Sequence, residues 1–412
     1  MLLCGAAVHA QATTIATTLD AVTSAANVQS LRKVYDAAWA RQPEAMALPT
    51  RRDATRAKQR AARAWTPEPV ALEISNKTDR LSRNQGTREL EFGVAVPLWL
   101  PGERSRSAAL ADAESVAIES RSDAAKLRLA ATVREAWWQW QRARIEVDMA
   151  RGQLDSTRRI AADVARRAKA GDLARADQHQ ADGAVASAEA STAQSEAGFA
   201  AARQHLRALA DVAPSSSEAA DARAEPDPGA IALEVETHAA LQELKDRASV
   251  AERTAALTAS QSRANPELVL ATTRERGGVG ESSRQTVTLG LRIPFGAGPL
   301  FEARSANDRA EATEVQARVA LERQRLTAER EAARVRVESS RTQLAAAERR
   351  AQLARESRGF FDKSFRLGET DLPTRLRIEA EAAEAERQAA RTRIDLGAAI
   401  SSWRQALGLL PQ

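Results

Sequence analysis

The sequence predicts a mainly helical chain with membrane β-strands. It reads as two tandem repeats, each a β-hairpin joined to a long helical hairpin. Three observations predict this class. Landmarks recur at one fixed offset. Four segments alternate apolar and polar side chains. Two Pro-free, Ala-rich tracts of about 65 residues each follow the alternating segments.

The offset is 197 residues. It carries Gly93-Val94-Ala95-Val96-Pro97-Leu98 onto Gly290-Leu291-Arg292-Ile293-Pro294-Phe295, and Arg128-Leu129 onto Arg325-Leu326. It also carries Gly171 onto Gly368 and Pro214 onto Pro411. One spacing held by four landmarks marks an internal duplication. The expected boundaries are a signal-peptide remnant at 1–10, a first repeat at 11–214, a linker at 215–230 and a second repeat at 231–412.

Each repeat opens with a moderate helical stretch, 30–65 or 236–263, closed by Pro67 or Pro266. The hairpins follow at about 69–98 and 267–295. In the first, Val70, Leu72 and Ile74 alternate with smaller or polar residues, and the polar loop runs from Asn76 to Gly86. Leu90, Phe92, Val94, Val96 and Leu98 then alternate on the way back. The second hairpin turns through Gly277-Gly278-Val279-Gly280-Glu281 and returns with Val287, Leu289, Leu291, Ile293 and Phe295. Each run is about 10 residues, the length a tilted membrane strand needs. A soluble hairpin is the alternative. Against it, the available core is Ala-rich helix, and the other strand face carries Glu, Thr, Gly and Arg, as a watery lumen allows. Open sheet edges are not tolerated in lipid, so the membrane reading requires several chains. Trp65 and Trp99 flank the first hairpin, where interface aromatics or local packing residues would sit.

The long helices are expected at about 103–170 and 300–367, each on the order of 100 Å long. Such lengths point to coiled coil or a helical tube. Their seams hold small residues such as Ala108, Ala111 and Ala117, which let helices approach closely. Gly171 and Gly368 end them, and Asp172 or Glu369-Thr370 begins the return helix at 173–210 or 373–408.

Composition excludes other classes. Aromatics are 4% of the 412 residues, too few for a thick core. The net charge of +5 is spread along helices among Glu and Asp, so the basic residues read as solvated helix faces, not a nucleic-acid patch. A single cysteine, Cys4, excludes a disulfide framework. No run of 18 apolar residues offers a transmembrane helix. Val8-His9-Ala10 before Gln11 resembles the end of a secretion signal, although no basic residues precede its short apolar run. Cys4 as a lipid anchor is a weaker reading, because Leu3 is large for that position.

Val96-Pro97-Leu98-Trp99-Leu100-Pro101-Gly102-Glu103-Arg104 resembles the turn by which the TolC family of outer-membrane efflux proteins leads from a strand into its long helix. Ile293-Pro294-Phe295-Gly296 is similar to the second copy of that turn. Ala170-Gly171-Asp172-Leu173, with Asp177, and Phe365-Arg366-Leu367-Gly368-Glu369 resemble the family's helix-tip turns. The resemblance implies a homotrimer with one shared β-barrel in outer-membrane lipid and an α-helical barrel across the periplasm. It implies a periplasmic adaptor protein and an inner-membrane pump, RND type favoured, as partners. It also implies that substrate passes chemically unchanged. The Pro-Gly-Glu-Arg turn is most similar to the CzcC-like heavy-metal efflux branch.

No catalytic residue, cofactor site or metal site is read from the sequence. The histidines at 9, 179, 205 and 238 are scattered, and no phosphate loop or nucleophile elbow is present. The chain is therefore expected not to be an enzyme. The candidate sites are the tips. Gly171, Asp172, Leu173, Leu367, Gly368 and Glu369 are candidate adaptor-docking residues. Asp172, Asp177, Glu369 and Asp371 are candidate lumen or gate acids, because an oligomer turns one carboxylate into a ring of charge. Plain helix capping explains the same acids. Two other readings stay open: a type I protein-secretion duct of the same fold, and a periplasmic coiled-coil adaptor.

Overall fold

The computed structural model describes residues 31–81, 85–211, 225–229, 234–296 and 298–412. The signal-like segment, Cys4 and most of the linker lie outside the described residues. Helix α1 takes residues 31–40 and α2 takes Pro43–Ala62. The helical stretch expected over 30–65 is thus broken at residues 41–42. Pro43 accounts for the break, since it lacks the N–H that would continue α1 and suits the first position of α2. Strands β1 (Ala71–Thr78) and β2 (Arg88–Pro97) precede α3 (Glu103–Ala170) and α4 (Arg175–Ala210). Then come α5 (Ala239–Ser260), β3 (Glu267–Arg276), β4 (Arg284–Arg292), α6 (Gly298–Arg366) and α7 (Leu372–Ala406). The chain divides into two compact units, and α3 and α6 contribute residues to both.

One unit comprises Ala47–Ala124 and Ala239–Arg323. It holds an antiparallel four-stranded sheet in the order β1-β2-β3-β4. β1 runs past the apolar alternation, because Asn76, Lys77 and Thr78 pair with Leu90, Glu89 and Arg88. The register stacks Leu72, Val94, Leu270 and Leu289 in one row across the sheet. The next rows are Ile74, Phe92, Thr272 and Val287, and, toward the helices, Val96, Leu268 and Leu291. Except for Val96 and Thr272, every one of these side chains is exposed, Val287 and Leu289 at 72%. The opposite face carries Glu73, Glu91, Thr273, Thr286 and Thr288 around buried Gly93, Ala95 and Ala271.

The step from sheet to helix is fixed by one carboxylate. Glu103, 3% exposed, accepts the Leu100 N–H at 2.9 Å. It also accepts the side-chain amides of Gln261 at 2.7 Å and Asn265 at 2.9 Å. Gly102 supplies the positive φ of +76° that the turn requires. Along the same unit, α2 meets α3 through Arg52–Glu119, Lys58–Glu114 and Arg63–Asp112. Exposed pairs of this kind contribute only about 0–1 kcal/mol each. A seam of Ala251, Ala255 and Ala312 joins α5 to α6.

The other unit contains α1, α4, α7 and the remaining lengths of α3 and α6. Contacts order the four long helices as α4, α3, α7, α6. Thr192 donates to the Ala150 carbonyl, and Arg151 pairs with Glu196, joining α4 to α3. Arg142–Asp395 and Arg391–Glu146 join α3 to α7. Ala351 packs with Ala385 and Ala389, joining α6 to α7. The thickest core surrounds Trp137, Trp138 and Trp140 with Leu31, Val34 and Tyr35 of α1 and Leu206 of α4. Trp138 donates to Ser401 at 2.9 Å, and Gly397 leaves it room, since a Cβ there would lie 2.5 Å from the indole.

Residues 225–229, read as linker, are partly core. The Glu225 side chain, 2% exposed, accepts two bonds from Arg134 at 2.8 Å and lies 3.3 Å from Arg404. Arg134 also donates to Gln405 and to the Leu409 carbonyl. Burial lowers the Arg404 pKa, and Glu225 opposes the shift. Two buried cations thus depend on one carboxylate. Removing it strands them, at a cost of about 3–5 kcal/mol. Glu225→Ala is therefore expected to lower unfolding stability by about that amount, read by denaturation followed through tryptophan fluorescence. A loss below about 1 kcal/mol would contradict the buried assignment.

Candidate functional site at the helix tips and the membrane sheet

α3 and α6 end in the same motif. Gly171 has φ +90° and Gly368 has φ +79°. The Asp172 N–H bonds the Arg167 carbonyl and the Gly171 N–H bonds the Ala168 carbonyl. The Glu369 N–H likewise bonds the Ser364 carbonyl, and the Gly368 N–H bonds the Phe365 carbonyl. These are Schellman caps, which settle the last carbonyls of each helix. A Cβ at either glycine would meet no atom within 4 Å, so backbone conformation, not space, selects glycine.

The four predicted acids differ in their bonding. Asp177 accepts the Ala174 N–H at 3.0 Å at the start of α4. Asp371 accepts the Thr374 N–H at 3.3 Å at the start of α7. Hydrogen bonding from Thr374 holds the Asp371 carboxyl below its ordinary pKa. That cap is therefore complete at neutral pH and is lost as pH falls through the depressed value. Glu369 accepts the Ser364 hydroxyl at 3.4 Å, and Asp172 is exposed.

The predicted leucines also differ. Leu173 packs on a cluster of Ile160, Val164, Phe365 and Leu372, whereas Leu367 is 75% exposed. At the centre of this cluster the Phe365 ring, 1% exposed, contacts two guanidinium groups. Arg167 stands 4.9 Å and Arg375 4.6 Å from its centroid. Arg375 also pairs with Asp362 at 2.6 Å. Phe365 lies in the tip turn expected from the sequence, where no role is legible for it. The available signal was a phenylalanine one turn before Gly368 in a chain with seven. Beside the tips, a groove of about 860 Å³ is lined by arginines and carboxylates, among them Arg159, Arg358, Asp163 and Glu379.

At the sheet, the alternating apolar positions from Leu90 in β2 to Leu98 just beyond it extend about 27 Å along the chain. Tilt shortens that to roughly 20 Å, close to a barrel's lipid-facing band. Of the two predicted interface aromatics, Trp65 is 94% exposed. Trp99 is half-buried and donates to the Ala64 carbonyl at 3.2 Å. Phe295, 82% exposed, adds an aromatic at the end of the second hairpin. Among the described residues no three His, Cys, Asp or Glu side chains come together as a metal site. No helix among them is long and apolar enough to cross a membrane.

Residues 34–211 match the family described as outer membrane efflux protein. This is the family whose turns the sequence resembled. Solved structures extend the likeness to both halves of the chain. VceC of Vibrio cholerae is 16% identical, with a TM-score of 0.72 over 93% of this chain and 97% of its own. CusC is 14% identical, with a TM-score of 0.76 over 92% of each chain. The open state of MtrE, the outer membrane channel of Neisseria gonorrhoeae, is 14% identical, with a TM-score of 0.69 over 92% of this chain and 89% of its own. No curated protein sequence matches the chain. The fold is thus that of these outer membrane channels, with long helices and a small sheet. The family is one of channel proteins.

The Phe365 arrangement makes a local prediction. Phe365→Ala removes the ring from both guanidiniums and costs about 3–5 kcal/mol. Hydrogen exchange is expected to accelerate over 167–177 and 363–376 and to stay unchanged in β1–β4. Equal acceleration in the sheet would contradict a tip-confined role.

Proposed function

We propose that this chain is the outer-membrane exit duct of a tripartite efflux system, working as a homotrimer. The observation that carries the reading is a sheet with an exposed apolar face and two open edges. In lipid, the outer edges of β1 and β4 must find partners. Three copies giving four strands each would close one barrel, with the face of Glu73, Glu91 and Thr288 lining its water. Trp65 and Phe295 would lie at the membrane interface, and Trp99 would brace the turn behind them.

A periplasmic adaptor would dock on the tips around Gly171, Asp172, Gly368 and Glu369. Leu367 is the apolar contact, because it is exposed where Leu173 is packed. An inner-membrane pump, of RND type, would load the duct with small molecules or metal ions. The Pro101-Gly102-Glu103-Arg104 turn favours a heavy-metal branch. No bond of the cargo is made or broken, so the protein acts without a cofactor and is not an enzyme. Asp172, Asp177, Glu369 and Asp371 would each appear three times around the pore and favour cations.

Two measurements test this. Protein extracted from outer membranes is expected to run at trimer size in detergent and to shift on heating. A monomer that is soluble without detergent would defeat the reading. In planar bilayers, Asp371→Asn and Glu369→Gln are expected to reduce cation selectivity. Asn keeps the cap of α7, so loss of structure is not expected to confuse the result. Unchanged selectivity in both would remove the charge-ring role.

A further inference from the structure

The apolar face of the sheet does not end in apolar residues. Side chains alternate between the faces of a strand, so the register fixes which of the outermost residues share that face. Beyond the row of Ile74, Phe92, Thr272 and Val287 comes a row of Asn76, Leu90, Arg274 and Gln285. Beyond that come Thr78, Arg88 and Arg276. Three arginines therefore stand together on this face, at the end of the sheet away from Glu103. The carboxylates of the same strand ends, Glu89 and Glu275, alternate onto the opposite face. There Glu89 pairs with Lys77 at 3.2 Å, and Glu275 stands across from Arg284.

The cluster lacks its counter-charge. Arg88 and Arg276 are direct cross-strand partners. Like charges so placed destabilise a sheet, because their Cβ atoms are only about 5 Å apart. Arg274 follows on the same face about 7 Å along β3. Among the described residues no carboxylate pairs with any of the three. Arg88 and Arg274 are exposed. Arg276 is half-buried, with Nη2 3.5 Å from the Gly86 carbonyl and Nε without a hydrogen-bond partner. Asp79, in the first hairpin loop, accepts the Gln85 N–H at 2.6 Å.

Position indicates what supplies the missing charge. Arg88 lies ten residues from Leu98, about 34 Å along the chain. Strand tilt reduces that to roughly 25 Å, the height of a barrel's lipid-facing band. The arginines thus sit where lipid tails end and headgroups begin, on the side that meets lipid. Guanidinium groups bind phosphate through paired N–H donors. We propose that Arg88, Arg274 and Arg276 form a site for the phosphate groups of a phosphorylated glycolipid in the outer leaflet, one site per chain. The proposal rests on the membrane-channel reading, which turns the hairpin loops toward the exterior, and names the lipid that the sheet would hold.

The test titrates detergent-purified protein, stripped of lipid, with diphosphoryl lipid A in the presence of EDTA. Bound lipid is counted by native mass spectrometry. The channel is expected to bind one lipid A per chain. Replacing the three arginines together (Arg88→Gln, Arg274→Gln, Arg276→Gln) is expected to weaken binding about a hundredfold. Lys77→Gln with Arg284→Gln, at the same height on the other face, should leave it unchanged. Dephosphorylated lipid A should bind no better to the wild type than to the triple variant. Inorganic phosphate at equal concentration should not displace the lipid; displacement would mean a free-anion site and overturn the lipid assignment. Arg88→Gln alone, in detergent without lipid A, is expected to raise thermal stability, because it removes the opposed charge. A lower melting temperature would give Arg88 a structural partner and count against the site. A detergent-requiring trimer that binds lipid A equally with and without the arginines would overturn this inference and leave the channel reading standing. A monomer soluble without detergent would overturn both.

Discussion

The structure depends on the conflict between an apolar sheet face and two unpaired strand edges. Leu72, Val94, Leu270 and Leu289 form one unbroken exposed row. In water such a patch promotes association, and in lipid it is the favoured surface. Lipid offers no hydrogen bonds to the edges of β1 and β4, so the same surface that inserts requires neighbours. The small residues on the other face, Gly93, Ala95 and Ala271, accompany a polar surface on which water can remain. In the proposed channel, closure by like copies would satisfy both demands with one kind of chain.

The helices face a different constraint. A helix that is part of a wall needs a seam on each side, and wide side chains would hold its neighbours apart. Ala351, Ala385 and Ala389 give one such seam, with the part-buried ion pairs of Arg355 and Arg358 to Glu386 beside it. Wider residues are concentrated around Trp137, Trp138 and Trp140, where α1 adds a further layer. There Gly397 and Ser401 admit the Trp138 indole, and Glu225 brings the inter-repeat segment against Arg134 and Arg404. At the far end of these helices Phe365 is held between two arginines, so both tips share one cluster.

Much of this was legible because it is periodic. Alternation in Leu90 to Leu98 and Val287 to Leu291 gave the strands, and Gly171 and Gly368 marked the helix ends because a Schellman cap requires positive φ. What escaped was set by partners remote in sequence. Asn76 and Lys77 read as loop, yet they are strand, because Leu90 and Glu89 pair with them. Glu225 sits among Pro, Asp and Gly residues and read as linker, yet two arginines far along the chain bury it. Leu173 and Leu367 read alike at the tips, but one is packed and the other exposed. Trp65 and Trp99 likewise read alike, but the first is exposed and the second is held by the Ala64 carbonyl.

The most direct test of the central claim is residue-by-residue accessibility along β4 in native outer membranes. Single cysteines from Gln285 to Arg292, each carrying a spin label, would report oxygen from lipid and a nickel chelate from water. The account predicts strict alternation, with Val287, Leu289 and Leu291 oxygen-accessible and Thr286, Thr288 and Gly290 chelate-accessible. Uniform chelate access on both sets would mean that this sheet lies in water, and the membrane-barrel account would fail.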